Sequence, residues 1–261
     1  MIQCFNQIIN KDVLEGLQEL PDNFIDLVVT SPPYNLGMDY GEGIEKDTLL
    51  WKDYYEWCKQ WMIEVYRVMK PNRRFCLNHY LSCGEGTQNN KRGRSDPLME
   101  LSHITKEIGF KHHGIAIWTD ATVSRLTAWG SYMKASAPYM NSPYEGILVV
   151  YKGEWKREDM GISTINKEDF IEGASGCWNI RPERRRGHPA PFPIRLPELC
   201  INFFSYENDL ILDPFMGTGS TAVACKRTKR NWIGFENNKD YCETANKRVE
   251  ESLNILDIGG L

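Results

Sequence analysis

The segment LILDPFMGTGSTA, residues 210–222, contains the pattern that decides the fold of this 261-residue chain. A short apolar run ends at Asp213. A turn containing Gly217 and Gly219 follows, and a helical pattern begins at Ser220. Glycine lets the backbone approach a ligand closely, and the first turn of a helix has free N–H groups. A strand, a glycine-rich turn and a helix in this order therefore predict a ligand-binding loop.

Strand and helix patterns alternate on both sides of this segment. Because strands alternate with helices, we expect one α/β domain over residues 1–261, with a mostly parallel twisted sheet and helices on both faces. Residues 152–192 show little periodicity and are expected to form loops or an inserted lobe. The predicted strands are 24–30, 74–80, 115–120, 146–152, 209–214 and 231–236, and the predicted helices are 12–20, 51–70, 98–110, 196–205, 220–228 and 239–253.

The composition is that of an ordinary globular protein. Apolar residues make up 41% of the chain and charged residues 25%. No apolar run approaches the roughly 20 residues needed to span a bilayer. The N-terminus has no basic stretch followed by an apolar core, so we expect a cytoplasmic protein without a membrane segment. The eight cysteines include no C-x-x-C pair and no Cys/His cluster with zinc-ligand spacing, which favours reduced thiols and no metal site.

The strand after the glycine turn indicates the kind of ligand. It ends in Glu236, and a carboxylate at a strand end can accept from both hydroxyls of a ribose. The sequence GTGSTA also fits G-x-G-x-x-A, with Glu236 near the distance expected for a dinucleotide site. These features indicate an adenosine-containing cofactor but leave open NAD or S-adenosylmethionine. A turn that serves only close packing of helix and strand is a further alternative.

A second loop, TSPPYN at residues 30–35, contains two adjacent prolines and follows a run whose pattern predicts a buried strand. Proline fixes φ and removes a backbone donor, so the strand must end there. Both loops follow the carboxyl ends of predicted parallel strands, where ligands bind in open α/β sheets. If the two strands are neighbours, residues 31–34 face the ligand of the glycine loop.

Together, TSPPYN and DPFMGTGST resemble the DNA amino-methyltransferases, which transfer a methyl group from S-adenosylmethionine to an exocyclic base nitrogen. The segments HPAPFPIRLPELCINFF and NKDVLEGLQELPDNFIDLVVTSPPYN resemble the family's lead-ins to its cofactor and catalytic loops. The order, with the catalytic half before the cofactor half, is that of the family's β group. The resemblance covers residues 5–80 and 178–250, is weak over 84–177, and implies a Rossmann-like methyltransferase fold.

The resemblance also implies roles for the loop residues. Ser31 Oγ and the Pro32 carbonyl would accept from the N–H groups of the target amine, and Pro33 would help to hold that carbonyl outward. Tyr34 would stack on a base extruded from the duplex by base flipping. Asp12 would contact the adenine amino group, although an ordinary helix N-cap is the alternative for this residue. The other implied cofactor-binding residues are Asp213, Pro214, Phe215, Gly217, Thr218, Gly219, Ser220, Thr221, Glu236 and Asn237.

In this family Ser-Pro-Pro-Tyr occurs mostly with N4 of cytosine. The resemblance therefore implies a prokaryotic restriction–modification enzyme that methylates cytosine N4 in a specific sequence of double-stranded DNA. A restriction endonuclease would be its separately acting partner, and the chain would be a monomer or a homodimer. The alternatives are N6-adenine methylation, an NAD-dependent oxidoreductase, which leaves Ser-Pro-Pro-Tyr unexplained, and an inactive DNA-binding subunit, against which the intact tetrapeptide argues. No Pro-Cys dipeptide is present to supply the thiolate that C5 methylation of cytosine requires.

The expected DNA contacts lie mainly in the centre of the chain. Residues 84–186 are predicted to be an inserted target-recognition region, in which 118–144 is the candidate for reading sequence. The alternative for the aromatic residues of this stretch is a place in the core. The net charge of −4 does not exclude nucleic acid, because local basic patches decide such binding. The residues expected to contact DNA are Lys91, Arg92, Arg94, Arg125, Lys134, Arg184, Arg185 and Arg186.

Overall fold

The computed structural model describes residues 5–39, 47–84, 94–119, 131–138, 144–183 and 192–256. The strands are β1 (Gln7–Asn10), β2 (Ile25–Thr30), β3 (Met69–Tyr80), β4 (Cys83–Gly84), β5 (Arg94–Ser95), β6 (Lys111–Thr119), β7 (Glu145–Lys152), β8 (Cys177–Asn179), β9 (Leu210–Asp213) and β10 (Asn231–Glu236). The helices are α1 (Val13–Gln18), α2 (Trp51–Val68), α3 (Pro97–Ile108), α4 (Lys167–Ser175), α5 (Arg195–Phe204), α6 (Ser220–Arg227) and α7 (Lys239–Leu256).

Eight strands form one sheet in the order β1-β10-β9-β2-β3-β7-β6-β8, and β4 pairs with β5 separately. Within the large sheet β7 is antiparallel to both of its neighbours, and the other pairings are parallel. The fold is therefore the expected Rossmann-like α/β arrangement with a mostly parallel sheet. The catalytic half of the sequence precedes the cofactor half, as predicted.

The two loops singled out in the sequence follow neighbouring strands. β2 pairs in parallel with β9, with Leu27 opposite Ile211 and Val28 opposite Leu212. From β2 the chain passes through α2 to β3 on one side, whereas from β9 it passes through α6 to β10 on the other side. Residues 31–34 and the glycine turn thus meet where the strand order reverses, which is the usual ligand position in such sheets.

Helices bury both faces of this sheet. Apolar side chains of α1, α2 and α3 pack on one face, with Trp61 of α2 fully buried. Helices α5 and α6 pack on the other face, with Leu199 and Ala222 fully buried. Because β2 lies between the two layers, all six of its residues are buried, which explains its continuous apolar pattern.

The centre of the chain is more regular than its sequence pattern predicts. Strand β3 begins at Met69, so the helix predicted over 51–70 ends two residues early and Pro71 lies within the strand. Within 152–192, expected to be loops or a lobe, α4 forms and β8 joins the large sheet beside β6. A three-residue strand is too short for periodicity to reveal. Much of the predicted recognition region 84–186 therefore belongs to the sheet and its helices.

Among the residues that the structure describes, no helix is long and apolar enough to cross a membrane.

A close approach between α1 and β10 gives a test of this packing. A Cβ added to Gly16 would lie 2.4 Å from Cδ1 of Phe235, which is fully buried. We expect Gly16→Ala to lower the free energy of unfolding by about 1–3 kcal/mol, although alanine favours helices, because the ring has no room to move. Gly114→Ala is the matched control, since a Cβ there meets nothing within 4 Å. Urea denaturation measures both, and an unchanged Gly16→Ala protein would contradict the described packing.

Candidate functional site

Asp213 connects the two loops at the carboxyl ends of β2 and β9. Its Oδ1 accepts from Thr30 Oγ1 at 2.6 Å and from the Phe215 N–H at 3.1 Å. Its Oδ2 accepts from Thr221 Oγ1 at 2.5 Å. Asp213 is only 3% exposed, and burial raises the pKa of its carboxyl to about 6. Asp213 was expected to bind the cofactor. In the structure its side chain lies beneath the glycine turn and holds β2, the turn and α6 together.

Glu236 connects the glycine turn to β10. Its Oε2 accepts from the Gly217 N–H at 2.8 Å, and its Oε1 accepts from the Asn238 N–H at 2.9 Å. Gly217 and Gly219 both have positive φ, of 52° and 83°, and at Gly219 a Cβ would also lie 2.8 Å from Ala245 Cβ. Each carboxylate oxygen has two lone pairs, so the half-buried Glu236 can accept further bonds from a ligand at this edge.

The hydroxyl groups at the start of α6 do not point toward the turn. Ser220 Oγ donates to the Phe192 carbonyl at 2.5 Å, and Thr221 Oγ1 is bonded to Asp213. Both residues are buried, at 4% and 1% exposure. Both were among the residues that the resemblance implied for cofactor binding. Their hydroxyls are used to fix the helix, so what they can offer a ligand is backbone N–H.

Arg248 on α7 braces the turn from outside. It donates to the Thr218 carbonyl at 2.7 Å and to Thr218 Oγ1 at 2.8 Å. Its second nitrogen donates to Glu183 Oε1 at 2.8 Å. The sequence analysis missed Arg248, because one arginine in a charged helical pattern gives no signal of its target.

The other predicted cofactor residues surround the same edge. Asp12 is exposed at the carboxyl end of β1, and its Oδ1 caps α1 by accepting from the Leu14 N–H at 2.8 Å, so the alternative N-cap role is present. Phe215 is half-buried, with its ring centroid 5.2 Å from that of Trp61. Pro214 is buried, and Asn237 is exposed with its carbonyl accepting from Asn10 at 2.9 Å.

Behind the proline loop, one hydrogen-bond chain begins at Ser31. Ser31 Oγ lies 2.8 Å from Tyr34 Oη, which lies 2.7 Å from Oε2 of Glu145. Asn78 Nδ2 contacts both Tyr34 Oη, at 2.7 Å, and that carboxylate oxygen, at 2.6 Å. The Tyr34 ring also packs against His79, with ring centroids 4.3 Å apart. Asn78 and Glu145 were not predicted as site residues.

A second chain fixes Pro33. The Tyr54 hydroxyl donates to the Pro33 carbonyl at 2.7 Å and lies 3.0 Å from His79 Nε2. Because the single Tyr54 proton is used on Pro33, we assign the ring proton of His79 to Nε2, in preference to the longer 3.4 Å contact of Nδ1 with the Tyr80 carbonyl. Burial lowers the pKa of His79 to about 3, so its ring is neutral near pH 7. The Pro33 carbonyl is thereby occupied, whereas no hydrogen bond from the described residues occupies that of Pro32.

The residues after the tetrapeptide are anchored by a buried carboxylate. Asp47 accepts from the N–H groups of Asn35, Leu36 and Met38 at 2.8–3.0 Å. Asn35 has a positive φ of 60° and exchanges two hydrogen bonds with the backbone of Leu49. The chain is therefore fixed directly after Tyr34.

Few of the predicted DNA contacts can be placed. Lys134 is exposed, and Arg94 lies in β5. Trp118, in the stretch expected to read sequence, is only 8% exposed and donates to the Ile180 carbonyl at 2.8 Å, so it belongs to the core. The other predicted contacts, Lys91, Arg92, Arg125, Arg184, Arg185 and Arg186, lie outside the described residues.

Known proteins resemble this chain in sequence. A family model described as DNA methylase matches residues 25–247. The type II methyltransferase M.MjaVI of Methanocaldococcus jannaschii is 41% identical over 179 residues, which cover 69% of this chain and 87% of that protein. The type II methyltransferase M.HpaI of Haemophilus parainfluenzae is 27% identical over 265 residues, covering 96% of this chain and 76% of that protein.

Solved structures share the fold. The structure of TTHA0409 from Thermus thermophilus, complexed with S-adenosyl-L-methionine, has a TM-score of 0.76 at 24% identity and covers 94% of this chain and 93% of its own. The PvuII DNA methyltransferase (cytosine-N4-specific) has a TM-score of 0.67 at 22% identity, covering 95% of this chain and 90% of its own. At these identities the likeness concerns the fold.

The buried Asp213 predicts a pH-dependent stability. In the folded state the pKa of Asp213 is raised to about 6, from an ordinary 3.8. Protonation of Asp213 therefore stabilises the folded state, and this stabilisation is complete below about pH 4. It is lost as the pH rises through about 6. In Asp213→Asn the side chain does not titrate. The free energy of unfolding of the wild type relative to this variant should therefore be greater near pH 4 than near pH 7, by up to about 3 kcal/mol. Urea denaturation across this range measures the difference, and a constant difference would contradict the assignment.

The Arg248 brace predicts a loss of cofactor affinity. Arg248→Gln removes the bonds to Thr218, so the glycine turn is expected to become less ordered. We expect the Kd for S-adenosylhomocysteine to rise about tenfold, as for the loss of a charge-assisted hydrogen bond. Lys247→Gln is the matched control, because Lys247 is exposed on the same helix and its ion pair within the described part of the chain is with Glu251, at 3.9 Å. Calorimetry measures both, and equal effects of the two changes would refute a specific role for Arg248.

Proposed function

The chain belongs to the DNA methylase family whose model matches residues 25–247, and we propose that it transfers a methyl group from S-adenosylmethionine to the exocyclic N4 of cytosine in a specific DNA sequence. The observation that carries this proposal is the attachment of the proline loop to the glycine turn. Thr30, the residue before Ser31, and Thr221, at the start of α6, share the carboxylate of Asp213. A base amine at Ser31 would thus lie beside whatever the turn holds.

The residues of the turn fit an adenosine-containing cofactor. Glu236 has lone pairs for ribose hydroxyls beyond its bonds to the backbone, and the glycines leave the turn without side chains at its tightest points. Asp12 remains our proposal for the adenine contact, since capping α1 uses one carboxylate oxygen. When bound, S-adenosylmethionine supplies the electrophilic methyl group.

The proline loop supplies acceptors for the target amine. A base amino group is a poor nucleophile because its lone pair is delocalised into the ring. Acceptors at each N–H, which we assign to Ser31 Oγ and the Pro32 carbonyl, would draw the nitrogen toward a tetrahedral form and free that lone pair. The second carbonyl, of Pro33, is bonded to Tyr54 and serves to hold the loop. Positioning then accounts for most of the rate acceleration.

The choice of base rests on Ser31, because Ser-Pro-Pro-Tyr resembles the N4-cytosine form of the motif. N6 of adenine is the alternative target. Similarity to proteins named type II methyltransferases supports a role in restriction–modification, with an endonuclease that acts separately on the same double-stranded site. For DNA recognition we propose the connections within 84–186 that lie outside the sheet, since β6, β7 and β8 are core strands.

The first experiment is methyl transfer from S-adenosylmethionine to unmodified genomic DNA, followed by digestion to nucleosides and mass analysis. We expect N4-methylcytosine from the wild type and a rate lower by about a hundredfold in Ser31→Ala, the size typical of a lost transition-state contact. Ser175→Ala, on the remote helix α4, should leave the rate unchanged.

Other products would revise the proposal in defined ways. N6-methyladenine would keep the mechanism and overturn the link from serine to cytosine. Absence of any methylated base, with binding of S-adenosylhomocysteine intact, would point to the inactive DNA-binding subunit. A thermal shift with NAD but not with S-adenosylhomocysteine would instead favour the oxidoreductase.

A further inference from the structure

Glu145 lies at the active edge of the sheet because β7 runs in the reverse direction. The parallel strands present their last residues at this edge, whereas β7 presents its first. Glu145 is opposite Tyr80, the last residue of β3. Its Oε2 is 2.7 Å from Tyr34 Oη and 2.6 Å from Asn78 Nδ2. A carboxylate is thereby linked through one tyrosine to the serine of the proline loop.

The carboxylate sets the direction of this hydrogen-bond chain. An ionised carboxylate only accepts, so the single proton of Tyr34 Oη is donated to Glu145. The Tyr34 oxygen can then only accept, and it receives bonds from Ser31 and Asn78. Ser31 therefore donates its one proton to Tyr34. No described residue donates to Ser31 Oγ, so its lone pairs can accept from another donor. The amine of a base is such a donor.

Asn78 provides a second donor to the carboxylate of Glu145. Its amide nitrogen faces both Tyr34 and Glu145, and Asn78 is only 1% exposed. In this orientation the amide nitrogen serves as donor to both acceptors, and the buried amide oxygen has no hydrogen-bond partner among the described residues. Burial, and next the charge of Glu145, raise the pKa of Tyr34 well above its ordinary value, so its hydroxyl keeps its proton.

We propose that Glu145 is a positioning residue for methyl transfer, which holds Ser31 as an acceptor and takes up the proton that the methylated amine releases. The inference rests on the proposed function of the site. Glu145 acts through Tyr34 and Ser31 and does not touch the base. Two buried carboxylates near the loops have structural roles: Asp213 accepts from Thr30 and Thr221, and Asp47 accepts from the backbone after Tyr34.

The atoms and electrons of the step balance. The amine lone pair forms the N–CH3 bond, and the electrons of the S–CH3 bond return to sulfur, which becomes a neutral thioether. The nitrogen is then cationic and gives a proton to Ser31 Oγ. Ser31 passes its own proton to Tyr34, and Tyr34 passes its proton to Glu145, which becomes a neutral carboxylic acid. Exchange with water after product release restores the carboxylate.

Glu145→Gln separates this role from simple packing. The glutamine oxygen can accept from Tyr34 and Asn78 as Oε2 does, but the amide cannot take up a proton. We expect the single-turnover rate of methyl transfer to fall by at least tenfold, since general base catalysis typically contributes about 100-fold or more. The Kd values for DNA and for S-adenosylhomocysteine should be unchanged. Glu154→Gln is the control, because Glu154 is an exposed glutamate just after β7, paired with Lys111 at 2.8 Å.

Chemical rescue gives a readout that a structural role would not affect. In Glu145→Ala, added formate should restore part of the single-turnover rate, whereas formamide, which is similar in size but not basic, should not. Rescue by both, or by neither, would overturn the proton-accepting role. Full activity of Glu145→Gln would overturn it as well.

Failure of the inference can be told apart from failure of the proposed function. If the wild type methylates DNA and Glu145→Gln is equally fast, the inference is refuted and the proposed function stands. A wild type that transfers no methyl group refutes the proposed function and this inference with it. If Glu145→Gln does not fold, Tyr34→Phe tests the same hydrogen-bond chain, because it removes the hydroxyl between Ser31 and Glu145. This change should slow the chemical step. Combined with Glu145→Ala, it should also abolish the rescue by formate.

Discussion

The carboxylate of Asp213 is the interaction on which the rest of the site depends. It joins Thr30, at the end of β2, to Thr221, at the start of α6, and it also holds the backbone of Phe215. Burying a carboxylate is unfavourable, and here three donors offset only part of that cost, since burial still raises the pKa of Asp213 to about 6. Without this bridge the two loops would lose the side-chain hydrogen bonds that join them to each other. With it, any displacement of the glycine turn is transmitted to the residue that precedes Ser31.

The sequence was sufficient for the parts of the molecule that repeat a regular pattern. The buried strand β2 and the helix α2 were predicted close to their observed bounds, since period and length are local properties. The adjacency of β2 and β9 was predicted only as a condition, because strand order depends on long-range pairing. Glu145, Tyr54 and Arg248 were missed for a related reason. Each lies in an ordinary strand or helix pattern, and its importance comes from a partner more than 20 residues away.

The motif residues illustrate a second limit of sequence reasoning. A motif states which residue types occur at a site, but not which of their groups face a ligand. Ser220 and Thr221 fit a loop that binds a carboxylate, yet their hydroxyls are bonded to Phe192 and Asp213 and stabilise the start of α6. Asp12 fits an adenine contact and also caps α1. In each case the side chain first satisfies the backbone geometry that the loop requires, and the remaining donors and acceptors are what a cofactor can use.

The tetrapeptide is held from two sides by chains of different chemistry. His79 and Tyr54 form a neutral chain that ends on the Pro33 carbonyl, and a lowered His79 pKa of about 3 keeps it neutral. Asn78 and Glu145 form a charged chain that ends on Ser31 through Tyr34. Both chains come from the half of the sheet that contains β3 and β7, whereas Asp213 attaches the loop to the half that contains β9 and β10. Two prolines in succession suit this arrangement, because neither has an N–H that competes for these acceptors. One carbonyl is then fixed internally, while no described residue donates to the other, which keeps its capacity to accept a hydrogen bond.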